Sequence, residues 1–230
     1  MPMGLIGRLH ARAVFGRRVR VLAGLLADMI PGGGSLLDVG CGDGSIGKLL
    51  DDARPDLAVR GLEVLLRDDC RIPVEPFDGR RIPAPDRSVD TVLCVDVPHH
   101  ADDPAALLAE AARVAARCIV IKDHTLQGWL ARPTLRFMDW VGNAHHGVPL
   151  PYNYWEPARW HEAFDRLGLQ TAAWMDDVPL YPSPASWVFG RKLHFLARLQ
   201  RRKVAGSRPG GAKTASPHLD QAGSGDRSLR

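Results

Sequence analysis

Glycines and carboxylates at set intervals are the first residues here that could do chemistry. Gly40, Gly42 and Gly44 alternate directly after the apolar positions Leu36, Leu37 and Val39. A backbone without Cβ atoms can turn sharply there and let a ligand approach closely. Asp38 stands near the end of the apolar run, beside the turn residue Cys41. Its carboxylate would repel a pyrophosphate but suits the cationic amino group of a bound amino acid. Glu63 lies about 20 residues beyond the turn, where a carboxylate can accept both hydroxyls of an adenosine ribose. Asp78-Gly79 forms a third polar point which, taken alone, is only a turn. Further on, Asp96, His99 and His100 follow Val95, and Lys122, Asp123 and His124 close another apolar run.

The elements that position these residues follow from periodicity. Leu36–Val39 reads as a buried parallel strand, and Ser45 is placed to cap a helix through Ile46, Leu49 and Leu50. Leu57–Glu63 is a second strand, Pro73–Pro76 a short third and Thr91–Val95 a fourth. A helix from about Asp103 to Ala116 leads to a fifth strand, Cys118–Asp123, β-branched as a central strand should be. In an open parallel sheet the carboxyl ends of strands border the ligand crevice, so both polar groups arrive at one edge. Pro157–Leu167 reads as a helix, and Gln170–Met175 and about Leu193–Leu199 as the last strands. Ahead of all these, Phe15, Val19, Leu22, Leu26 and Met29 recur at helical spacing over 8–30, with Arg8 and Arg12 on the same stripe. That placement argues against a membrane-surface helix and for packing on the domain, with Arg8 or Arg12 available to a substrate anion.

Gly42-x-Gly44-x-x-Gly47 also fits the dinucleotide fingerprint, but that match alone is weak. The run Leu37-Asp38-Val39-Gly40-Cys41-Gly42-Asp43-Gly44 closely resembles the first motif of the class I S-adenosylmethionine-dependent methyltransferases, in the small-molecule branch. The resemblance covers about residues 30–200. It implies a doubly wound α/β fold with seven strands, the last antiparallel, and helices on both faces. It implies S-adenosylmethionine as cofactor, with Asp38, Gly40, Cys41, Gly42, Gly44, Glu63 and Val95 around it. Asp78 would receive the adenine amino group, and the main-chain N–H of Gly79 would address a ring nitrogen. The chemistry is displacement at a sulfonium methyl, in which the protein mainly aligns the reacting atoms. An acceptor hydroxyl or enolisable carbon calls for a general base, and His100, Asp96, Asp123, His124 and His145 are the candidates. The pattern Asn/Asp-Pro-Pro-Tyr/Phe is missing at the fourth strand's end, which argues against methylation of a flipped base or a glutamine.

Seven of the fifteen aromatic residues fall within 124–160. Residues 124–155 are therefore expected to form an acceptor lid, with Tyr152, Tyr154, Trp155 and Arg12 toward a small apolar or aromatic substrate. The net charge of +4 belongs to the ends: residues 1–20 carry five arginines and no acid, and 201–230 carry seven basic residues and two acids. The 18 basic and 24 acidic residues between them give that segment a net charge of −6, which disfavours a nucleic-acid-gripping core. An RNA-directed methyltransferase using its basic arms is the alternative. Cys41, Cys70, Cys94 and Cys118 show no paired spacing and read as free thiols without metal. The expected organisation is a helix over 1–30, a cytoplasmic cofactor-binding domain over 31–200 and a disordered basic tail over 201–230.

Overall fold

A computed structural model of the chain describes residues 5–143 and 150–202, with side chains described over 16–142 and 150–202. His145, the side chain of Arg12 and the expected tail from residue 203 lie outside the described residues. Helix α1 (Leu5–Met29) is followed by β1 (Gly34–Val39), α2 (Ser45–Ala53), β2 (Leu57–Glu63), β3 (Val74–Pro76) and β4 (Val89–Val95). Next come α3 (Pro104–Val114), β5 (Ala115–His124), α4 (Ala131–Asn143), α5 (Pro157–Arg166), β6 (Leu169–Met175), α6 (Ser186–Phe189) and β7 (His194–Arg201).

The seven strands form one sheet in the order β3-β2-β1-β4-β5-β7-β6. The first five are parallel, and β7 runs antiparallel to both β5 and β6. This is the class I methyltransferase fold. Neighbouring strand residues point to opposite faces, and both faces are apolar. Leu36, Leu93 and Val120 pack under Leu22 and Leu26 of α1, Ile30 just after it and Leu50 of α2. Leu37, Val92, Ile119 and Ile121 face Leu108 of α3 and Trp160 and Phe164 of α5. Fully burying a side chain of this size contributes about 1.5–3 kcal/mol. Both layers are thus anchored by residues one step apart on the same strands. The second half of α1 is part of the core, as its apolar stripe predicts.

Strand order reverses between the neighbouring strands β1 and β4, whose connections leave to opposite faces, through α2 after β1 and α3 after β4. A crevice opens at their carboxyl ends, where open α/β sheets take their ligands. The register also sets His194 of β7 against His124 of β5. Polar residues from β4, β5 and β7 therefore converge beside that crevice.

Candidate functional site

The glycine turn has the conformation its sequence demands. Gly40 has φ +71°, and a Cβ there would stand 2.6 Å from Val97 Cγ2. The amides of Gly40 and Cys41 both donate to the Leu62 carbonyl, at 2.7 and 3.1 Å, which ties the turn to β2. A Cβ on Gly47 would meet Ile72 Cδ1 at 2.6 Å, so the third glycine lets α2 pack closely. The cap differs from expectation. Ser45 does not cap α2. Instead Asp43 accepts from the Ser45 amide (3.0 Å) and hydroxyl (2.7 Å), while Gly44 is the N-cap residue in the left-handed region. An acid therefore already sits at the helix N-terminus that a pyrophosphate would need.

Beside this turn lies an open cleft of about 200 Å³ lined by Asp38, Gly40, Cys41, Gly42, Asp43, Val95 and Asp96. Arg18 and Val19 of α1 and Arg67 complete its wall. A larger depression of about 340 Å³, lined by Asp86, Arg87, Arg113 and Arg201, holds none of the candidate residues and lies by the start of β4 and the end of β7, away from the crevice. The Asp38 carboxylate is buried, and burial together with the nearby Glu63 pushes its pKa up to about 7. A cationic ligand group would relieve that burial by favouring the ionised form. Affinity for S-adenosylhomocysteine is thus expected to fall by up to about tenfold per pH unit below about 7 and to level off above it. Calorimetry across pH checks this. Asp38→Asn should bind weakly with a flat profile, and a wild-type profile equally flat would exclude Asp38 from the cation's contact.

Glu63 is held by three backbone amides. Its Oε2 accepts from Gly42 at 2.6 Å, and its Oε1 accepts from Val64 at 2.9 Å and Leu65 at 3.2 Å. Asp78 does form the turn its sequence suggests: Oδ1 accepts from the amides of Arg80 and Arg81, both at 2.8 Å. Those two bonds hold its carboxyl below the usual carboxylate range. Asp78 keeps Oδ2 outside the turn. Gly79 has φ +74°, and a Cβ there would come within 3.3 Å of Val64. Val64, exposed directly after Glu63, is thus a neighbour of the Asp78-Gly79 turn that sequence reasoning missed.

The second polar group is more heavily paired than its sequence suggests. Asp96 adopts φ +56° just past β4. Its Oδ2 accepts from Arg18 at 2.8 Å, and its Oδ1 pairs with the fully buried Lys122. Burial pushes the Asp96 carboxyl up, but Lys122 and Arg18 outweigh it and hold it well below the usual range. Lys122 also donates to His194 Nδ1 at 3.2 Å, and His194 Nε2 lies 3.1 Å from the Phe189 carbonyl. His99, absent from the expected bases, is the centre of the neighbouring cluster. Its Nδ1 lies 2.5 Å from Asp123 Oδ1 and its Nε2 3.4 Å from Asp139 Oδ2. Burial lowers the His99 pKa, yet Asp123 and Asp139 together raise it to about 10.

Of the expected bases, Asp96 and Asp123 are therefore engaged as ion-pair partners. His124 is buried, and burial next to Lys122 and His99 holds it well below its ordinary pKa. His100 differs. Burial and the adjacent His99 keep its pKa low, and its Nδ1 has no hydrogen-bond partner among the described residues. Asp96, His99, Asp123 and His124 could offer ligand atoms within 4.8 Å of one another. The cations Lys122 and Arg18 already engage that cluster's Asp96.

The aromatic segment divides. Tyr154 is buried with Ala131, Leu135 and Leu193, and its hydroxyl donates to Asp139. Trp155 packs in the main core, its ring 4.8 Å from that of Trp160. Neither lines the cleft. Tyr152 is half-buried under the Arg136 guanidinium, 4.5 Å from the ring centroid. Asn153 binds the segment to the His99 turn, its amide donating to the His99 carbonyl and its Nδ2 to the Ala101 carbonyl.

The family model for the methyltransferase domain matches residues 10–173. No curated protein sequence matches the chain. Among solved structures, the methyltransferase bound to the Trm112 methyltransferase activator of Haloferax volcanii is similar at 19% identity and TM-score 0.62, covering 84% of this chain and 93% of that one. Magnesium protoporphyrin IX methyltransferase of Synechocystis PCC 6803, with bound SAH, is similar at 17% identity and TM-score 0.56, covering 88% and 90%. An S-adenosylmethionine-dependent methyltransferase of Thermotoga maritima is similar at 18% identity and TM-score 0.57, covering 85% and 96%.

Proposed function

The chain belongs to the methyltransferase-domain family and is an S-adenosylmethionine-dependent methyltransferase; from that premise we propose that its acceptor is a small apolar or aromatic molecule. When bound, the cofactor supplies a methyl group activated by a positive sulfur. The residues present fit it. Asp38 would hold the amino group, Glu63 the ribose hydroxyls, Asp78 Oδ2 and the Gly79 amide the adenine. Gly40, Gly42 and Gly44 keep the turn free of side chains, and Cys41 and Val95 form the wall. The single observation that carries the site assignment is the buried Asp38 carboxylate at the rim of a cleft on the sheet's switch point.

His100 is the residue we assign to take a proton from an acceptor hydroxyl. Burial and the adjacent His99 favour its neutral form, and its buried Nδ1 has no hydrogen-bond partner among the described residues. Asp96 and Asp123 instead hold the neighbouring cations in place, which fixes the edge where the acceptor must sit. The Asn153 bonds that tie the apolar 150–155 segment to the His99 turn, beside the polar cluster, support an acceptor with apolar surface.

Calorimetry should show binding of S-adenosylmethionine and S-adenosylhomocysteine and no comparable binding of NAD. Glu63→Ala should weaken that binding by about 1.5–3 kcal/mol per charged hydrogen bond lost. Acceptor identity is to be read by comparing methylated metabolites in extracts with and without the protein. On that acceptor, His100→Gln should reduce turnover and leave homocysteine-product affinity unchanged. A methylated RNA in place of a small molecule would overturn the acceptor reading, and unchanged turnover would remove His100 from it.

A further inference from the structure

Helix α4 carries two apolar faces. Ala131, Leu135 and Met138 turn inward with the buried Asp139. On the other side, Phe137, Trp140 and Val141 are 53%, 58% and 54% exposed, and Trp129 just before the helix is 84% exposed. A helix that is apolar on both sides normally buries both. The patch continues onto α6. The Phe137 ring stacks 6.5 Å from that of Phe189, and Arg191 Nη2 donates to Thr134 Oγ1 at 3.2 Å. Trp187 on α6 is 73% exposed. Three exposed tryptophans and a phenylalanine on α4, α6 and the turn before α4, joined through the Phe137–Trp140 and Phe137–Phe189 ring contacts, exceed the scattered apolar exposure of an ordinary protein face.

The exposed charges on α4 and in the 181–192 segment have one sign. Arg132 and Arg136 are exposed on α4, and Arg191 and Lys192 are exposed just after α6. Lys192 is paired with Asp176 at 3.2 Å, which leaves the three arginines as the patch's cations. The one acid within 129–143 is the buried Asp139, and 181–192 contains none. Tryptophan flanked by arginine suits the boundary between anionic headgroups and acyl chains, where the ring takes the apolar side and the guanidinium the phosphate.

Location connects this surface to the chemistry. Helix α4 leaves from the carboxyl end of β5, and α6 leads into the start of β7 at the same edge, where His124 and His194 are paired. We propose that the α4–α6 surface docks on an anionic lipid membrane and that the acceptor is a lipophilic molecule drawn from it. The second half of this statement rests on the acceptor reading above. No helix among the described residues is long and apolar enough to cross a membrane, so the docking is peripheral.

The full-length protein should sediment with phosphatidylcholine vesicles containing phosphatidylglycerol and far less with phosphatidylcholine alone, and added salt should weaken the binding. Each of Trp129→Ala, Trp140→Ala and Trp187→Ala should lower partitioning by about tenfold, since each removes an inserted ring. S-adenosylhomocysteine affinity and melting temperature should be unchanged. No binding to anionic vesicles would overturn the proposal. So would a stable dimer that these substitutions dissociate, because the patch would then be an interface between copies. Undiminished vesicle binding by the triple variant would transfer the role to the basic ends and equally overturn it. Failure of S-adenosylhomocysteine binding in the same preparation would count against the cofactor site and leave the vesicle result standing.

Discussion

Asp96→Asn is expected to destabilise the protein by about 3–5 kcal/mol, as removal of one partner from a buried ion pair does. In a chain of this size that corresponds to a melting-temperature loss of roughly 6–20 °C. The physical reason is Lys122. Its side chain is fully buried at the end of β5, and Asp96 is its carboxylate partner, with His194 offering only a neutral ring nitrogen. Asparagine would leave the ammonium without a counter-charge. Arg18 would be affected less, because it remains partly in contact with solvent. The double variant Asp96→Asn/Lys122→Met should recover most of the loss, since it removes the orphaned charge along with its partner. Denaturant titration of the two variants is the measurement. A single-variant loss below about 1 kcal/mol would mean that Asp96 contributes as an exposed pair does. Asp96 would then return to the candidate bases.

How much of this arrangement could be read from the chain depends on how each residue gets its role. Asp38, the three glycines and Glu63 sit near strand ends and in a tight turn. Their positions in sequence fix their positions in space, so their placement at the β1–β2 end of the crevice was legible in the chain. The polar cluster was legible as a location only. Its strand ends were predicted, but which carboxylate meets which cation depends on pairing across β4, β5 and β7 and on α1. Arg18 was overlooked in favour of Arg8 and Arg12 on the same helix, because the stripe gives direction and not depth. His99 and His100 are neighbours in sequence, yet one is clamped between Asp123 and Asp139 while the other has a free nitrogen. No local pattern separates them. Asp139 itself lies 16 residues from the nearest acid, Asp123, in no obvious motif, and only packing of α4 brings it to Tyr154 and His99. The aromatic segment shows the same limit. Its composition announces apolar surface but not which ring turns inward, and Trp155 and Trp140 took opposite sides. Ser45 lost the capping role because α2 already begins at Ser45, with Gly44 at the N-cap, and its hydroxyl is spent donating to Asp43.

His99 offers the most discriminating test of that buried cluster. The ring lies between two carboxylates in a site closed to water, and they raise its pKa from 6.5 to about 10. It is therefore an imidazolium at neutral pH, balancing Asp123 and Asp139. His99→Gln keeps a donor toward Asp123 but deletes the charge, so both carboxylates are left buried with one cation fewer. A loss of about 3–5 kcal/mol is expected at pH 6–7. The pH dependence separates charge from shape. A group whose folded pKa is raised contributes fully below its unfolded value and loses that contribution as pH climbs through the folded one. The stability gap between wild type and His99→Gln should accordingly be widest below about pH 6.5 and close toward about pH 10. Asp38 titrates in both proteins and cancels in the difference. Chemical denaturation of the pair across that range gives the curve. A gap that stays constant with pH would mean that His99 acts through packing alone, and a gap that widens with pH would mean that its neutral form is the one the fold prefers.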